Sequence, residues 1–508
     1  MSRISRSTLI IVIFFGIDKV LAFLRQIIIA RQFGLSPELD AFNAANNLPD
    51  MLYAMISGGA LAIALIPVLS EYLERSGRLA VWDLFSRILN LVFLVTAALS
   101  VVIAVLSGPL VHWELGIAPG FQDSQQNLVA GLMRLNLIAT LIFSISGLVM
   151  AGLQTNQHFL LPAAAPGLYN LGQIFGALIL APKEGYHLGP VTLPGFGLGI
   201  HGLVYGVIIG AVLHLGIQVP GLLRFKFRWT PAIHLRHPGV MQVLNLMGPR
   251  LLSMLFIQLI FIARDNLASR LEAGAVTALT YGWFIMQVPE TLIGTAIATA
   301  MLPSLAEYFV RGEKDVFRDT VNRAIRAILA LTIPSAILLM VGIRPLIQVV
   351  FKFDTAGTDL VVWATRAYLM GLMGHAVFEV VARSFYAQQN ARTPVFTSAI
   401  RFICYVVLAL LLFKPFGPVG IGIADTLAIS TEAVLLFYLL SRRFPGVHQV
   451  ISTIMRVVVG SVVGGLVVYA LIRFLPLPAL VATIGALACG AVIVLPFAWS
   501  ELKSLVKL

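Results

Sequence analysis

Residues 60–75 of this chain read ALAIALIPVLSEYLER, and residues 296–311 read AIATAMLPSLAEYFVR. The two stretches share a proline, a glutamate and a tyrosine at a constant spacing of 236 residues: Pro67, Glu71 and Tyr72 in the first copy, and Pro303, Glu307 and Tyr308 in the second. General similarity among apolar helices would not preserve this P-x-L-x-E-Y pattern. We therefore interpret the two stretches as copies within an internal repeat.

Two weaker similarities extend the repeat. Residues 154–162 pair with residues 388–394, and residues 199–202 pair with residues 420–423. Six predicted helices separate each copy from its partner, and because this number is even, the two halves run in the same direction through a membrane. We predict two parallel six-helix lobes followed by two C-terminal helices outside the repeat. The predicted boundaries are 1–228, 229–445 and 446–508.

The composition is that of a chain embedded in lipid. Of the 508 residues, 59% are hydrophobic and 11% are charged, whereas a soluble domain carries about 25% charged residues. Apolar stretches of about 20 residues are long enough to cross the hydrocarbon core. We predict an all-α membrane protein with about 14 transmembrane helices, near residues 7–33, 38–72, 80–112, 125–154, 158–181, 198–223, 239–271, 274–309, 317–351, 358–387, 393–413, 418–441, 449–474 and 478–502.

The formal net charge of +12 is explained by cationic loops on the cytoplasmic side of a membrane. With both termini in the cytoplasm, the predicted cytoplasmic helix ends carry about three times as many Lys and Arg residues as the opposite ends. We expect a multi-pass protein of the cytoplasmic (inner) membrane. No basic cluster is interleaved with aromatic residues in a soluble segment, so we expect no nucleic-acid partner.

The sequence lacks the motifs of soluble enzymes and of metal sites. It has no Walker A motif, so ATP does not drive it directly, and it has no HExxH, G-x-S-x-G or CxxC pattern. Cys404 and Cys489 lie in apolar runs and indicate neither a disulfide framework nor a metal cluster. The predicted loops are too short for a membrane-embedded glycosyl- or acyltransferase. We expect a transporter without a cofactor or metal rather than an enzyme.

The first two predicted helices carry the densest group of polar residues within apolar sequence. Polar residues are costly in a membrane and are therefore functional candidates. The first helix holds Asp18, Lys19 and Arg25. The second helix holds two carboxylates and three amides: Asp40, Asn43, Asn46, Asn47 and Asp50. The last four follow an i, i+3, i+4, i+7 pattern, so they share a face that must meet another helix or a wet cavity.

Two interpretations of this polar hairpin are open. In the first, Asp18–Lys19 and Arg25–Asp40 are internal ion pairs that hold the helices together. In the second, the residues line a cavity for a polar or anionic head group, since only water or a polar ligand would satisfy so many donors. The second interpretation predicts these substrate-binding residues: Lys19, Arg25, Asp40, Asn43, Asn46, Asn47, Asp50 and Arg264.

The second half of the chain adds candidates of two kinds. Arg264 would supply a further cation to a cavity, although the adjacent Asp265 could instead neutralise it. Glu379 and Asp425 are candidates for coupling to an ion gradient, because a carboxylate binds H⁺ or Na⁺ reversibly.

Several motifs together resemble those of the MurJ/MviN family. In the first half they are KVLAFLR at 19–25, DAF at 40–42, LP at 48–49, and GA at 59–60 followed by PVLSEY at 67–72. In the second half they are LMGP at 246–249 and LPSL at 302–305. The likeness extends over the first twelve predicted helices, and the motifs of the first two helices are the most specific.

The resemblance implies a bacterial lipid II flippase of the multidrug/oligosaccharidyl-lipid/polysaccharide exporter superfamily. Such proteins carry the undecaprenyl-pyrophosphate-linked peptidoglycan precursor from the inner to the outer leaflet by alternating access around a cationic cavity. The implied partners are this lipid-linked substrate, membrane lipids and a coupling ion, Na⁺ or H⁺. The last two helices would form a groove for the lipid tail. Arg25 and Asp40 match functional positions of the family, and Lys19 replaces an arginine.

The sequence also departs from the family pattern. Tyr53 and Phe284 stand where the family has arginines, and Gln287 stands where an acidic residue is common. A pyrophosphate needs charge-assisted donors, which Arg264 or Arg250 would then have to supply. Two alternatives stay open. One is another exporter of the superfamily, which moves lipid-linked oligosaccharide of the O-antigen type or amphipathic drugs, and the other is a transport-inactive scaffold.

Overall fold

The computed structural model describes residues 3–57, 59–188, 190–446 and 450–505, and this part of the chain is almost entirely helical. The side chain of Arg250 lies outside the described part. The chain forms two compact units, Met1–Asn266 and Leu267–Leu508. The lobe boundaries after residues 228 and 445 stay predictions.

The first unit contains the long helices of the N-terminal half. Its helices are α1 (Arg3–Phe33), α2 (Pro37–Ala45), α3 (Asn47–Leu52), α4 (Gly59–His112), α5 (Asp123–Thr155), α6 (Leu160–Phe175), α7 (Ile200–Gly216), α8 (Val219–Arg224) and α9 (Pro238–Ala268). Two π-helical turns follow α3 and α6, at Tyr53–Ser57 and Gly176–Leu180. Two short strands, β1 (Tyr186–Leu188) and β2 (Val191–Leu193), form an antiparallel hairpin before α7 that the sequence analysis did not predict.

The second unit has a similar order of helices. They are α10 (Ala275–Pro289), α11 (Ala296–Val310), α12 (Lys314–Phe351), α13 (Thr355–Met370), α14 (Leu372–Ala387), α15 (Arg392–Arg443), α16 (Ile451–Phe474) and α17 (Ala479–Leu505). A third π-helical turn, Glu290–Thr295, joins α10 to α11.

The helices confirm the predicted membrane fold. Within the described residues, eleven helical stretches are long and apolar enough to cross a membrane. Two of these stretches are interrupted, α4 at Gly77 (φ 79°, ψ 177°) and α15 at Gly417 (φ 56°, ψ −140°). Such backbone torsions are open essentially to glycine alone. The helix α15 contains the predicted crossings at 393–413 and 418–441, and α4 contains the crossing at 80–112 and the end of the one at 38–72. Together with the 31-residue α1, these stretches agree with about fourteen crossings.

Residues 38–72, predicted as one crossing, do not form one continuous helix. The chain breaks at Asn46, whose backbone N–H donates to the carbonyl of Asn43 three residues earlier, at 3.2 Å. Pro49 lacks the N–H that would bond the carbonyl four residues before it, which weakens the helix at the same place. The π-helical turn Tyr53–Ser57 then interrupts the regular pattern a second time.

The two copies of the sequence repeat have the same local geometry. Each copy follows a π-helical turn, and each ends with an i,i+4 ion pair. The pair is Arg75 with Glu71 at 2.9 Å in the first copy and Arg311 with Glu307 at 2.6 Å in the second. The shared residues therefore mark a shared structure and not merely a shared composition.

The weaker similarities also correspond in backbone conformation. Gln157 and Gln389 both have positive φ, at 59° and 56°, directly after a helix end. The following N–H groups close the same turn at 3.0 Å, from His158 to Leu153 and from Asn390 to Phe385. This is the hydrogen-bond pattern of a Schellman cap.

The third predicted pairing is wrong by three residues. Gly199 has φ 56° and ψ −135°, which matches Gly417 rather than Gly420. The sequence comparison misplaced this pair because glycines recur at several neighbouring positions. In the first unit a loop and the β-hairpin precede the glycine, whereas in the second unit α15 runs directly into it.

Glycines bring α6 and α7 into close contact. A Cβ atom on Gly172 would lie 2.4 Å from Gly210, and one on Gly176 would lie 2.6 Å from the carbonyl oxygen of Gly202. Small residues of this kind let helix backbones approach closely in membranes. The close packing of α6 on α7 fixes the position of α6, whose side chains contact α1.

Candidate functional site

Asn170 of α6 joins two charged residues of α1. Its side-chain nitrogen donates to Asp18 Oδ1 at 2.8 Å, and its side-chain oxygen accepts from Arg25 Nη1 at 2.9 Å. Asp18 and Arg25 are seven residues apart, so they share one face of α1. Asn170 itself is buried. We call Asp18, Arg25 and Asn170 the Arg25 cluster.

The guanidinium of Arg25 uses little of its donor capacity within the described part of the chain. Arg25 is half-buried and donates one hydrogen bond, to Asn170, while its Nε has no acceptor. Arg25 also interacts electrostatically with Asp50 of α3, whose side chain is exposed. Since a guanidinium offers five N–H donors, Arg25 has donors left for a phosphate or carboxylate ligand.

An aromatic row borders the Arg25 cluster. Tyr53 in the first π-helical turn packs edge-to-face on Phe143, with ring centroids 5.2 Å apart, and Phe143 packs in the same manner on Tyr169 at 5.0 Å. Tyr169 directly precedes Asn170 and interacts electrostatically with Arg25. Tyr53 is 38% exposed, so its ring is partly accessible beside the Arg25 cluster.

Neither of the internal ion pairs considered from the sequence forms. Lys19 is exposed, and its Nζ lies 5.0 Å from the ring centroid of Phe15, one turn earlier on α1. Asp18 instead accepts from Asn170, and Arg25 donates to Asn170 rather than to Asp40. Lys19 and Arg25 therefore lie on different faces of α1.

The predicted polar stripe divides into buried contacts and an exposed end. Asn46 Oδ1 accepts from Asn136 of α5 at 2.6 Å, and Asn47 Nδ2 donates to Asp265 of α9 at 2.7 Å. These two amides join helices within the first unit. Asp50, at the end of the stripe, is exposed. Since the chain breaks at Asn46, the four residues do not act as one surface.

Two further predicted site residues lie on α2. Asp40 is buried, with 1% of its surface exposed, and Asn43 is half-buried. The helix begins at Pro37, and Ser36 caps it by accepting from the N–H of Leu39 at 3.2 Å.

Arg264 forms a buried ion pair with Asp265. Its Nε is 2.7 Å from Asp265 Oδ1, and the exposed fractions of the two residues are 7% and 0%. Its guanidinium also lies over the ring of Phe261, 5.1 Å from the centroid. This placement favours the neutralising role of Asp265 over a role for Arg264 in ligand binding, which stays a prediction.

The two carboxylates considered for ion coupling differ in their surroundings. Glu379 pairs with Arg383 one turn later on α14, and both side chains are half-buried. Asp425 on α15 is buried at 3% exposure and pairs with Arg401 at 3.1 Å.

Sequence reasoning missed Asn170, which completes the Arg25 cluster. A signal was present, since Asn170 and Gln173 are isolated amides in an apolar predicted helix. Both are buried in the structure, which requires a polar partner or a cost in stability.

A polytopic helical fold with a polar cluster on its first helix is typical of membrane transporters. A solved structure of lipid II flippase MurJ in an inward closed conformation matches it with a TM-score of 0.80 and 21% sequence identity, covering 98% of this chain and 100% of that one. An inward-facing multidrug resistance MATE family transporter matches with a TM-score of 0.67 and 14% identity, covering 85% and 95% of the two chains. At these identities both comparisons show the fold.

Sequence comparison then gives the particular family. The family model described as "Lipid II flippase MurJ" matches residues 29–484. "Lipid II flippase MurJ" of Burkholderia cenocepacia is 32% identical over 445 residues, which are 85% of this chain and 82% of that protein. "Probable lipid II flippase MurJ" of Vibrio cholerae is 26% identical over 86% of this chain and 82% of that protein. The chain belongs to the MurJ family, a family of transporters and not of enzymes.

The match to the family model begins after the Arg25 cluster on α1. Asp18, Lys19 and Arg25 precede residue 29, where the matched range starts. The functional interest of these residues therefore rests on their own geometry and not on the family match.

Proposed function

We propose that this chain moves lipid II, the undecaprenyl-pyrophosphate-linked peptidoglycan precursor, from the inner to the outer leaflet of the bacterial cytoplasmic membrane by alternating access. Membership of the MurJ family supports the cargo. The observation that carries the site is the half-buried Arg25, which makes one hydrogen bond among the described residues and lies near the exposed Asp50. No covalent step is involved.

The pyrophosphate meets the unused donors of Arg25. Asn170 orients the guanidinium from one side, so the donors that Asn170 does not use are positioned before the ligand arrives. Lys19, exposed on a neighbouring face of α1, attracts the anionic head group at longer range. The sugar and peptide portion contacts Asn43, Asp50 and Tyr53, whereas Asn46 and Asn47 serve to hold the helices in place.

The lipid tail follows the C-terminal helix pair, residues 446–508. Helices α16 and α17 pack against α12 through the buried residues Leu338, Val468 and Ala486. Both helices keep large apolar side chains on their outer surface, with Leu466 and Val492 each 64% exposed. An isoprenoid chain is satisfied by such an apolar surface without specific hydrogen bonds. Both termini lie in the cytoplasm, and an ion gradient or the membrane potential supplies the energy.

Complementation of a flippase-depleted bacterial strain tests the proposal. We expect the wild-type chain to restore growth, Arg25→Ala to abolish rescue, and Arg25→Lys to restore it in part, because an ammonium keeps the charge but loses the bidentate geometry. Arg31→Ala is the matched control, since Arg31 is exposed at the end of the same helix. Protein levels in the membrane are compared for every variant.

The possible outcomes test the proposed cargo and the proposed binding residues separately. Full rescue by both Lys19→Ala and Arg25→Ala would refute the site assignment while leaving the cargo intact. A well-expressed wild type that fails to rescue would refute the cargo.

A second candidate function is the export of another amphipathic molecule by the same fold. The observation that favours it is Tyr53, which is 38% exposed and stands where the resemblance to the family implies an arginine. Tyr53→Arg distinguishes the two functions. Improved rescue by this variant supports lipid II as the cargo, and loss of rescue together with wild-type export of drugs or lipid-linked oligosaccharide supports the alternative.

A further inference from the structure

Four ionisable side chains meet inside the second unit. They are His375 of α14 and Arg401, Asp425 and Glu432 of α15, with exposed fractions of 8%, 6%, 3% and 0%. We call them the Arg401 cluster. Charged groups are rarely buried to this extent in a membrane protein without a function.

One guanidinium serves two carboxylates in the Arg401 cluster. Arg401 Nη2 lies 3.1 Å from Asp425 Oδ1, and Arg401 Nη1 lies 3.6 Å from Glu432 Oε2. His375 Nε2 lies 3.3 Å from Asp425 Oδ2. Arg401 precedes the break at Gly417 and both carboxylates follow it, so the cluster joins two crossings of α15 to α14.

The charges of the cluster do not balance unless a proton is bound. With neutral His375 and two ionised carboxylates, one negative charge remains uncompensated, and burying an unpaired ion costs several kcal/mol. One proton removes the imbalance, either on His375 or on Glu432. The positions of both residues suit this role, because each contacts the same Arg401–Asp425 pair or its guanidinium.

Glu432 has one oxygen that is poorly satisfied. Its Oε1 accepts from the hydroxyls of Ser398 at 2.8 Å and Thr397 at 3.3 Å. Its buried Oε2 has the ion-pair contact with Arg401 but no hydrogen bond. Arg401 Nε is likewise buried without an acceptor. Glu432 Oε2 and Arg401 Nε are therefore held by no hydrogen bond, and the two side chains can change position when the charge on Glu432 changes.

Several charged groups on the neighbouring helices have partners elsewhere. Within the described residues these pairings are Arg366 of α13 with the carbonyl of Met340, Glu290 with the hydroxyls of Thr291 and Thr295, Glu379 with Arg383 on α14, and Arg344 of α12 with Asp359. The charged groups that act electrostatically on Asp425 and Glu432 are Arg401 and His375, both members of the cluster.

We propose that the Arg401 cluster is a binding site for one exchangeable proton, shared between His375 and Glu432, and that H⁺ is the ion coupled to transport. The coupling role rests on the function proposed above, whereas proton binding does not. When Glu432 takes the proton, its attraction to Arg401 weakens, and when His375 takes it, the imidazolium pairs with Asp425. The bound proton thereby changes which of the three helix segments are held together.

Trp283 provides a direct readout of proton binding. Its ring packs edge-to-face on His375, with centroids 5.2 Å apart, and a protonated imidazole quenches indole fluorescence in contact with it. We expect the purified full-length protein to show a reversible change in fluorescence when the pH is varied between about 5 and 8. Trp283→Phe identifies the contribution of this tryptophan by difference.

Variants assign the titration to the cluster. We expect Glu432→Gln to shift its midpoint by about one pH unit or more, a shift equivalent to 1.4 kcal/mol of coupling between the two groups. Glu379→Gln is the matched control, since Glu379 is a glutamate on α14 with its own partner, and it should leave the midpoint unchanged. The infrared carbonyl band of a protonated carboxylic acid gives a second measure that does not require His375. If the fluorescence of Trp283 stays constant over the pH range tested and no infrared band of a protonated carboxylic acid appears, the proposed proton site is overturned.

Proteoliposomes test the coupling separately. We expect an imposed pH gradient to accelerate flipping of lipid II by the wild type and to have no effect on Glu432→Gln. A wild type that titrates but flips at the same rate with and without the gradient overturns the coupling role and leaves the proton site. A wild type that never flips lipid II overturns the proposed function, and the coupling with it, while the Trp283 titration still decides the site.

Discussion

Arg25 and Arg401 are both arginines within apolar helices, yet their surroundings differ. Arg25 is half-buried, donates to the amide of Asn170 and lies near the exposed Asp50. Arg401 is 6% exposed and is shared by Asp425 and Glu432. An arginine held by a neutral amide keeps charge and donors for a ligand. An arginine held by two carboxylates has its charge cancelled within the fold, so the two residues serve different purposes.

Removing the cation should affect stability most strongly at Arg401. We expect Arg401→Met to lower the free energy of unfolding by about 3–5 kcal/mol, because two buried carboxylates lose their shared partner. Arg25→Met should cost about 1 kcal/mol, the value of one hydrogen bond at a half-buried site. Unfolding in mixed micelles, followed by circular dichroism, measures both. Equal losses would mean that the two sites do not differ as the structure indicates.

Loss of the orienting amide should affect transport rather than stability. Asn170→Leu keeps the side-chain volume but removes the bridge between Asp18 and Arg25, and we expect flipping in proteoliposomes to fall about tenfold, equivalent to about 1.4 kcal/mol. Gln173→Leu is the control, because it replaces another buried amide on α6. A similar loss of transport in both variants would assign the effect to packing of α6.

The Schellman caps that the two units share allow their backbone conformations to be compared through glycine substitutions. Gln157 and Gln389 have left-handed torsions, in which an L-residue with a side chain is strained and glycine is not. We expect Gln157→Gly and Gln389→Gly each to stabilise the protein by about 0.5–1 kcal/mol. Gln258→Gly, in the interior of α9, should instead destabilise it by about 1 kcal/mol. Opposite signs for the two caps would show that the repeat does not extend to these turns.

The smallest effect is expected at the ion pairs that end the repeat copies. Glu71 and Glu307 pair with exposed arginines one turn later on their helices. Glu71→Gln and Glu307→Gln should each change stability by less than about 0.5 kcal/mol, and 1 M salt should abolish the difference. Thermal unfolding at two salt concentrations measures this. A loss several times larger in one variant would reveal a contact that the other copy lacks.

Much of the fold was predictable because membrane helices are specified locally. The apolar runs have to span the hydrocarbon core, and the P-x-L-x-E-Y pattern identified the repeat without any knowledge of contacts. The break at Asn46 was not predictable in this way. Pro49 is visible in the sequence and weakens the helix there. The side chain of Asn47 also donates to the backbone carbonyl of Ala44, a contact that the pattern of polar residues did not reveal.

The candidate site was predictable only in part, because its partners are distant in sequence. Arg25 stood out as a charge within an apolar helix, but Asn170 is 145 residues away from it. Asn47 similarly meets Asp265 at a separation of 218 residues. Asp425 was identified as an isolated carboxylate, and nothing in a single sequence indicates that it shares Arg401 with Glu432. Polar residues can be found from the sequence, whereas their pairing is a property of the fold.

The break in α4 depends on the backbone torsions of a single residue, Gly77. Since helical backbone continues on both sides of Gly77, a change in the angle between the two crossings must be absorbed mainly by its two torsions. A side chain there would restrict those torsions and stiffen the joint, although no neighbouring atom would obstruct it. Spectroscopic labels on either side of this glycine would show whether the two crossings turn together or fold about it during a transport cycle.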